Sequence, residues 1–335
     1  MKKLFFLAAF VCNLLAIKTA NAQNPITTLE HAGTTTVYYG QNSLVDAYTA
    51  SVNGDSLYLS TGYFTAPAGI AQSVKIIGAG HFPDSLNVAK RTTIMGGLVI
   101  LAGADSLRLE GLYINGDIVY DFNNRSVSYV KVIRCRLGNV NLYSGSVSTS
   151  KNNCSFEECF ILGQISNGSY VVNLLIKNSI IGNIYGIGGS AIITNNIILQ
   201  DIYYVNTSVI QNNIINGTAN FTSNANGNTI NNNVFVNSPT DFGYNSYNNN
   251  YLGVKANILV NQSGTSIDYA QDYHLINPTT YLGTDSIQVG IYGGTTPFKD
   301  KGLPSNPQVI SKTVGTQTDV NGNLQINFTV KAQNN

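Results

Sequence analysis

The sequence predicts an all-β solenoid, and three observations carry the prediction: a recurring six-residue phrase, a column of amides within it, and very little charge. The phrase is an apolar residue, two mostly polar ones, a small or amide residue, one more residue, and a closing apolar residue. It reads LEGLYI (Leu109 to Ile114), VIRCRL (Val132 to Leu137), FEECFI (Phe156 to Ile161), IKNSII (Ile176 to Ile181), ITNNII (Ile193 to Ile198), IQNNII (Ile210 to Ile215), INNNVF (Ile230 to Phe235) and YNNNYL (Tyr247 to Leu252). Self-similarity at a drifting period of roughly 20 residues marks a solenoid, in which one supersecondary unit stacks on the next and only the stack has a core.

Taken in chain order, the first element is a targeting segment. Lys2 and Lys3 precede an apolar run from Leu4 to Ile17, and Ala20-Asn21-Ala22 supplies small residues for cleavage, so residues 1–22 read as a signal peptide and the protein as exported. Cys12 follows bulky Val11 inside that run and reads as a signal-peptide cysteine rather than a lipid anchor. No later stretch is long and apolar enough to span a membrane. Ser43 to Ser51 (SLVDAYTAS) reads as a short amphipathic helix, followed by Asn53-Gly54-Asp55 and by strands over SLYLS (Ser56 to Ser60) and VKIIGAG (Val74 to Gly80).

Within the phrases, the first, fourth and sixth positions suit a strand entering a tight turn and leaving it as a second strand. The first column runs Leu109, Val132, Phe156, Ile176, Ile193, Ile210, Ile230, Tyr247, and the sixth Ile114, Leu137, Ile161, Ile181, Ile198, Ile215, Phe235, Leu252. Stacked at the strand spacing of about 4.8 Å, each becomes a continuous inward stripe. The fourth column reads Leu112, Cys135, Cys159, Ser179, Asn196, Asn213, Asn233, Asn250. Inward asparagines repeated from coil to coil can bond to one another along the stack, satisfying groups that would each cost about 1–3 kcal/mol if buried alone.

These coils resemble the right-handed parallel β-helix of the pectin-lyase-like superfamily, over residues 23–295. The resemblance implies a helix from Ser43 to Ser51 that covers the open end of the stack, where an edge would otherwise template pairing. It also implies an extracellular habit, but no single activity, because the fold carries lyases, hydrolases and adhesins. Beyond Gly293-Gly294, Pro297, Pro304 and Pro307 suggest a linker. Val309 to Lys331 alternate apolar and polar around Asn321-Gly322, a hairpin signal. Residues 296–335 therefore read as a linker and a small β cap or tail, with a secretion or docking tag as the alternative; the tail resembles endings of exported β-helix proteins of Bacteroidota.

Composition narrows function. With 18 basic and 17 acidic side chains the net charge is +1, which favours neither nucleic acid nor an anionic membrane. Only 10% of residues are charged, so solubility rests on Asn, Ser, Thr, Gly and 20 Tyr, and candidates for acid–base chemistry are few. Lyases of this fold need a base and commonly acidic Ca²⁺ ligands; from Val130 to Thr265 the acids are Glu157, Glu158, Asp201 and Asp241. Hydrolases with an Asp-Asp pair and Gly-His-Gly find neither here, since Gly80-His81-Phe82 departs from the second motif.

Three constellations remain. Arg134 and Glu158 share the third column, and Glu157 and Lys177 the second; with Arg136 they read as an exposed ladder of pairs, or, functionally, as Glu158 in acid–base work with Arg134 or Arg136 holding an anionic sugar. Cys135 and Cys159 stand one coil apart in the fourth column, with Cys154 also inward, giving either one disulfide or free core thiols. Tyr185 and Tyr203 occupy equivalent places in successive coils and should stand outward together, as a row for sugar rings or as ordinary cross-strand stacking, with Tyr143 and Asn220 as extensions. The reading adopted is a monomeric, non-enzymatic structural, adhesive or glycan-binding surface that engages an extracellular polysaccharide or cell-surface glycan, without cofactor or metal; the alternative is a polysaccharide lyase or glycoside hydrolase. A regular Thr or Asn array for ice or mineral is not met by the second column.

Overall fold

The structure is a computed structural model that describes residues 24–331, except 84–90, 122–125, 144–145, 147, 149–150, 223, 240, 254–257, 301 and 305–307. Residues 1–22, expected to be a signal peptide, lie outside the described residues. The chain is all-β with one short helix, wound as a parallel β-solenoid of about 9 turns. The first seven phrases each contribute one strand to each of two sheets, the eighth one strand to the first sheet and a single bridge, Tyr251 to Val234, to the second. The columns stack in the expected register: Leu109 on Val132, Phe156, Ile176, Ile193, Ile210, Ile230 and Tyr247. Leu137, Ile161, Ile181, Ile198, Ile215 and Phe235 stack likewise on the second sheet. The inner columns are fully buried until the eighth coil, where Tyr247 and Leu252 are exposed at the end of the stack rather than inside it.

The N-terminal end is closed more thoroughly than the helix alone would manage. Strand β1 (Ile26–His31) pairs antiparallel with β2 (Thr34–Tyr39) on one side and with β3 (Ser56–Leu59) on the other, and β3 begins the parallel stack on Lys75–Ile77. Helix α1 (Ser43–Ala50) buries Leu44 and Ala47 over the first coils. An antiparallel edge strand followed by a short hairpin ends the sheet without presenting a parallel template.

One corner of each coil depends on backbone handedness. The third phrase position, occupied by Gly111, Arg134, Glu158, Asn178, Asn195, Asn212, Asn232 and Asn249, has φ between 47° and 64° in every coil. Asparagine tolerates this left-handed conformation best after glycine, which accounts for the NN pairs of the later coils. The residue before it belongs to the first sheet and the residue after it turns inward, so this single left-handed residue makes the corner.

The C-terminal region differs from a linker. Residues 281–300 and 302–304 run back along the outside of that corner, from Asn232 Nδ2 donating to Leu282 O at 3.1 Å to Pro304 packed on Gly111. The fifth phrase position explains why they stay: Phe160, Ile180, Ile197, Ile214 and Val234 face outward from the second sheet and form a second core with Leu259, Ile267, Tyr273, Leu275, Val289, Ile291 and Phe298. A strand with apolar residues at two successive positions is buried on both faces, and the doublets II, II, II and VF at positions five and six are that pattern. Past this strap, Gln308–Thr318 and Leu324–Lys331 form the expected hairpin, with Gly322 at φ 82° in its turn.

Candidate functional site

The charged constellation is an anchor for the strap. Glu158 Oε2 and Oε1 accept from Arg134 Nε at 3.1 Å and Nη2 at 3.2 Å, and Oε2 also accepts from the Lys299 backbone N–H at 3.2 Å. Arg134 Nη1 reaches Glu110 Oε1 and Leu303 O, both at 3.4 Å, and Arg108 closes on Glu110 at 2.6 Å. Arg134, Glu158 and Glu110 are all buried, so the expected exposed ladder is corrected: the strap covers it. The other expected pair also differs, because Lys177 Nζ donates to Thr296 Oγ1 at 2.6 Å on the strap although Glu157 lies beside it in register. Arg136 belongs elsewhere; its fifth-position side chain leaves by the second sheet, between Tyr113 and Phe160.

The fourth column stacks as expected. Asn196, Asn213 and Asn233 are fully buried, and each backbone N–H donates to the side-chain Oδ1 of the next coil: Ser179 to Asn196, Asn196 to Asn213, Asn213 to Asn233, Asn233 to Asn250, at 2.9–3.0 Å. Each Nδ2 donates backwards to a carbonyl, as Asn213 does to Ile193 O at 2.9 Å. Cys135, Cys154 and Cys159 are free, buried thiols. Burial pushes Cys135 up to about 12 and Cys154 to about 11, and raises Cys159 well above the usual thiol value, so all three are inert fillers. A second, shorter ladder of Ser208, Asn228 and Asn245 closes another corner by the same bonds.

The outward tyrosines do come together. Tyr185 is in register with Tyr203, and Tyr203 with Asn220; Tyr143 lies off the row, because Asn141 holds the equivalent place beside Ser166. Tyr204, with φ 56°, turns back to join them, and the three rings meet edge to face with centroids 5.1–5.7 Å apart. This is a compact aromatic knob, half-exposed, rather than a row of parallel plates. Burial first, then the Asp201 carboxylate and the two neighbouring phenols, raise the Tyr203 hydroxyl above the usual phenol value.

Asp201 also lines a cleft of about 600 Å³ between the turns of the second sheet and residues 258–265. Leu199, Val236, Ile258 and Leu259 supply its apolar surface, and Gln200, Asp201, Asn216, Asn237, Gln262, Ser263 and Thr265 its polar groups. These polar groups are held in place. Asn183 Nδ2 donates to Gln200 Oε1 at 2.9 Å, Thr218 N to Asp201 Oδ1 at 2.7 Å, and Asn216 Nδ2 to Gln262 Oε1 at 3.1 Å. Fixed amides around a partly apolar cleft are suited to hydroxyl-rich ligands, whose hydrogen bonds need both donors and acceptors. Among the described residues Asp201 is the only titratable side chain lining it. No group of three His, Cys, Asp or Glu that could hold a metal is found among the described residues, and no helix among them is long and apolar enough to cross a membrane.

The sequence reading missed the cleft because its second wall, residues 258–265, comes from outside the repeat. Its one legible signal was the apolar doublet at positions five and six, which requires a cover over the second sheet. The fold defines a class, the parallel β-solenoids. Searches against protein-family profiles, curated proteins and solved structures give no match to this chain.

Proposed function

We propose that this is an exported, monomeric, non-enzymatic β-helix of the pectin-lyase-like kind that binds an extracellular or cell-surface glycan. The cleft at Asp201 would hold a short run of sugar units and the Tyr185–Tyr203–Tyr204 knob would contact one ring at its margin. The observation that carries the reading is a pre-bonded amide cleft at Asp201 with a half-exposed aromatic cluster beginning two residues along, at Tyr203. Sugar recognition uses those two ingredients, an apolar face for ring C–H groups and fixed polar groups for hydroxyls. The lysine pair, apolar run and small-residue site of residues 1–22 support export. The carboxylate first considered for acid–base work, Glu158, already accepts from Arg134 and from a strap N–H, which supports binding without chemistry.

Calorimetric titration with a panel of neutral and acidic oligosaccharides tests this. Binding weakened about tenfold by Tyr203→Ala and by Gln262→Ala, equivalent to about 1.4 kcal/mol, is expected. Release of reducing ends or unsaturated uronides by the wild-type protein, abolished in a folded Glu158→Gln variant, would establish a hydrolase or lyase instead.

A further inference from the structure

The second sheet's outward column changes character along its length. From Phe160 onward it is apolar and lies under the strap, but the preceding coils contribute Thr93, Tyr113 and Arg136 in one register row. Arg91, two residues before Thr93, places its guanidinium 4.2 Å from the Tyr113 ring centroid, and Arg136 stands 5.3 Å from the same centroid and 4.4 Å from that of Tyr269. All four side chains are half-buried. Two cations therefore share one aromatic ring.

Their partners are the informative part. Arg108 and Arg134 are each bound to carboxylates, whereas no described carboxylate lies within ion-pair distance of Arg91 or Arg136. The Nε–H of both is shielded from solvent and has no acceptor. An arginine Nε–H shielded from water without an acceptor is uncommon, and neither the cation–π contacts of about 0.5–2 kcal/mol nor the Tyr269 hydroxyl that bonds Arg136 supplies the anion that Arg108 and Arg134 have.

The surroundings hold this charge in place. Tyr269 Oη donates to His81 O at 2.8 Å, so the 2.9 Å contact with His81 Nδ1 requires the ring to donate from Nδ1. Nε2 is then a bare acceptor facing Gly302, where a Cβ would collide with it. Burial, reinforced by Arg136 and Arg91, keeps this imidazole uncharged, with its pKa lowered to about 3. The histidine thus buttresses the floor through Tyr269, and the two arginines carry the site's charge.

We propose that Arg91 and Arg136, braced on Tyr113 and Tyr269, form a binding site for an oxyanion borne on an acidic polysaccharide, either a uronate carboxylate or a sulfate ester. The planar donor edges of two guanidinium groups match such an oxyanion, and the tyrosine faces would lie against the sugar that bears it. The site spans three coils, and its nearest member, Arg136, lies three coils, or about 14 Å along the stack, from the coil that carries Leu199 and Asp201. It does not depend on the cleft at Asp201, and the two are tested by different variants.

Titration at low ionic strength with oligogalacturonate, its methyl ester and a sulfated oligosaccharide of equal length separates the sources. The acid or the sulfated sugar should bind, the ester should not, and affinity should fall as salt rises. Arg136→Gln and Arg91→Gln should each weaken binding at least tenfold, with Lys75→Gln, on the first sheet, unchanged. Should either variant fold poorly, the wild-type protein still decides: bound ligand should protect Arg91 and Arg136 from phenylglyoxal, read by peptide mass spectrometry. No binding by either anionic sugar, no protection, or equal loss in Lys75→Gln would overturn the proposal.

Discussion

Asn212 and Asn213 are neighbours of identical type at one corner, and they do opposite things. Asn213 turns inward, is fully buried, and bonds only to residues of adjacent coils. Asn212 takes the left-handed corner at φ 58° and faces outward, where its Oδ1 accepts from Thr284 N at 2.9 Å and its Nδ2 donates to Thr284 Oγ1 at 3.2 Å. The inner column templates itself; the outer column is completed by a distant segment. Side-chain direction, rather than residue type, decides which asparagine is part of a ladder and which is a clasp.

The sharpest way to break the comparison is to remove what the outer column clasps. A chain ending at Gly253 would expose Phe160, Ile180, Ile197, Ile214 and Val234, each worth about 1.5–3 kcal/mol of burial, against a typical domain stability of about 5–15 kcal/mol. It should aggregate or bind hydrophobic dye. A chain ending at Pro304, lacking only the hairpin, should keep the wild-type circular dichroism and remain soluble. If the first truncation were as well folded as the second, the inner column would suffice and the strap would be an ornament.

Next in size is the inner column itself. Asn213→Ala leaves Asn196 N–H buried without a partner, at about 1–3 kcal/mol, and removes the Asn213 Nδ2 bonds to Ile193 O and Asn233 Oδ1. Urea denaturation should show a loss of about 1–3 kcal/mol. A loss below 1 kcal/mol would mean that the ladder is a by-product of stacking rather than one of its supports.

The far end of the strap offers a pH test. His81 packs against Gly302 and Tyr269, and its pKa falls from 6.5 to about 3 in the folded protein. Between those values the unfolded chain binds a proton that the folded chain does not. Its contribution is therefore present above pH 6.5 and is lost as pH falls towards 3, by up to about 1.4 kcal/mol per pH unit. The stability of His81→Phe should fall less steeply with acid across that window; parallel slopes would show that the strap's end is solvated.

How much of this was legible in the sequence follows from the same contrast. Asn196, Asn213 and Asn233 could be placed inside because their partners are copies of themselves one period away, and periodicity reports such partners directly. Arg134 and Glu158 were paired correctly with each other for that reason too. Their burial was not legible, because what covers them, Lys299 and Leu303, lies more than 100 residues downstream in a stretch whose prolines read as a linker. The cleft at Asp201 and the arginine pair on Tyr113 escaped for a related reason: each combines a coil with a non-repeating segment or with the outward face of a column. The apolar residues at position five were visible, and two successive buried positions should have implied a cover.

The smallest expected effect separates backbone from clasp. At Asn212, Ala loses both bonds to Thr284 and also meets the left-handed cost of about 1–2 kcal/mol, whereas Gly loses the bonds but accepts that backbone freely. Glycine's greater chain entropy takes back about 0.5–1 kcal/mol, so Asn212→Gly should be more stable than Asn212→Ala by a few tenths to about 1 kcal/mol. One residue along, Asn213 does not have a positive φ, and there Gly should be no better than Ala and worse by about 0.5–1 kcal/mol. The four variants measured together by urea denaturation give a reversal of sign between adjacent positions. The same order at both positions would mean that the two asparagines share one environment and that the corner does not divide an inner ladder from an outer clasp.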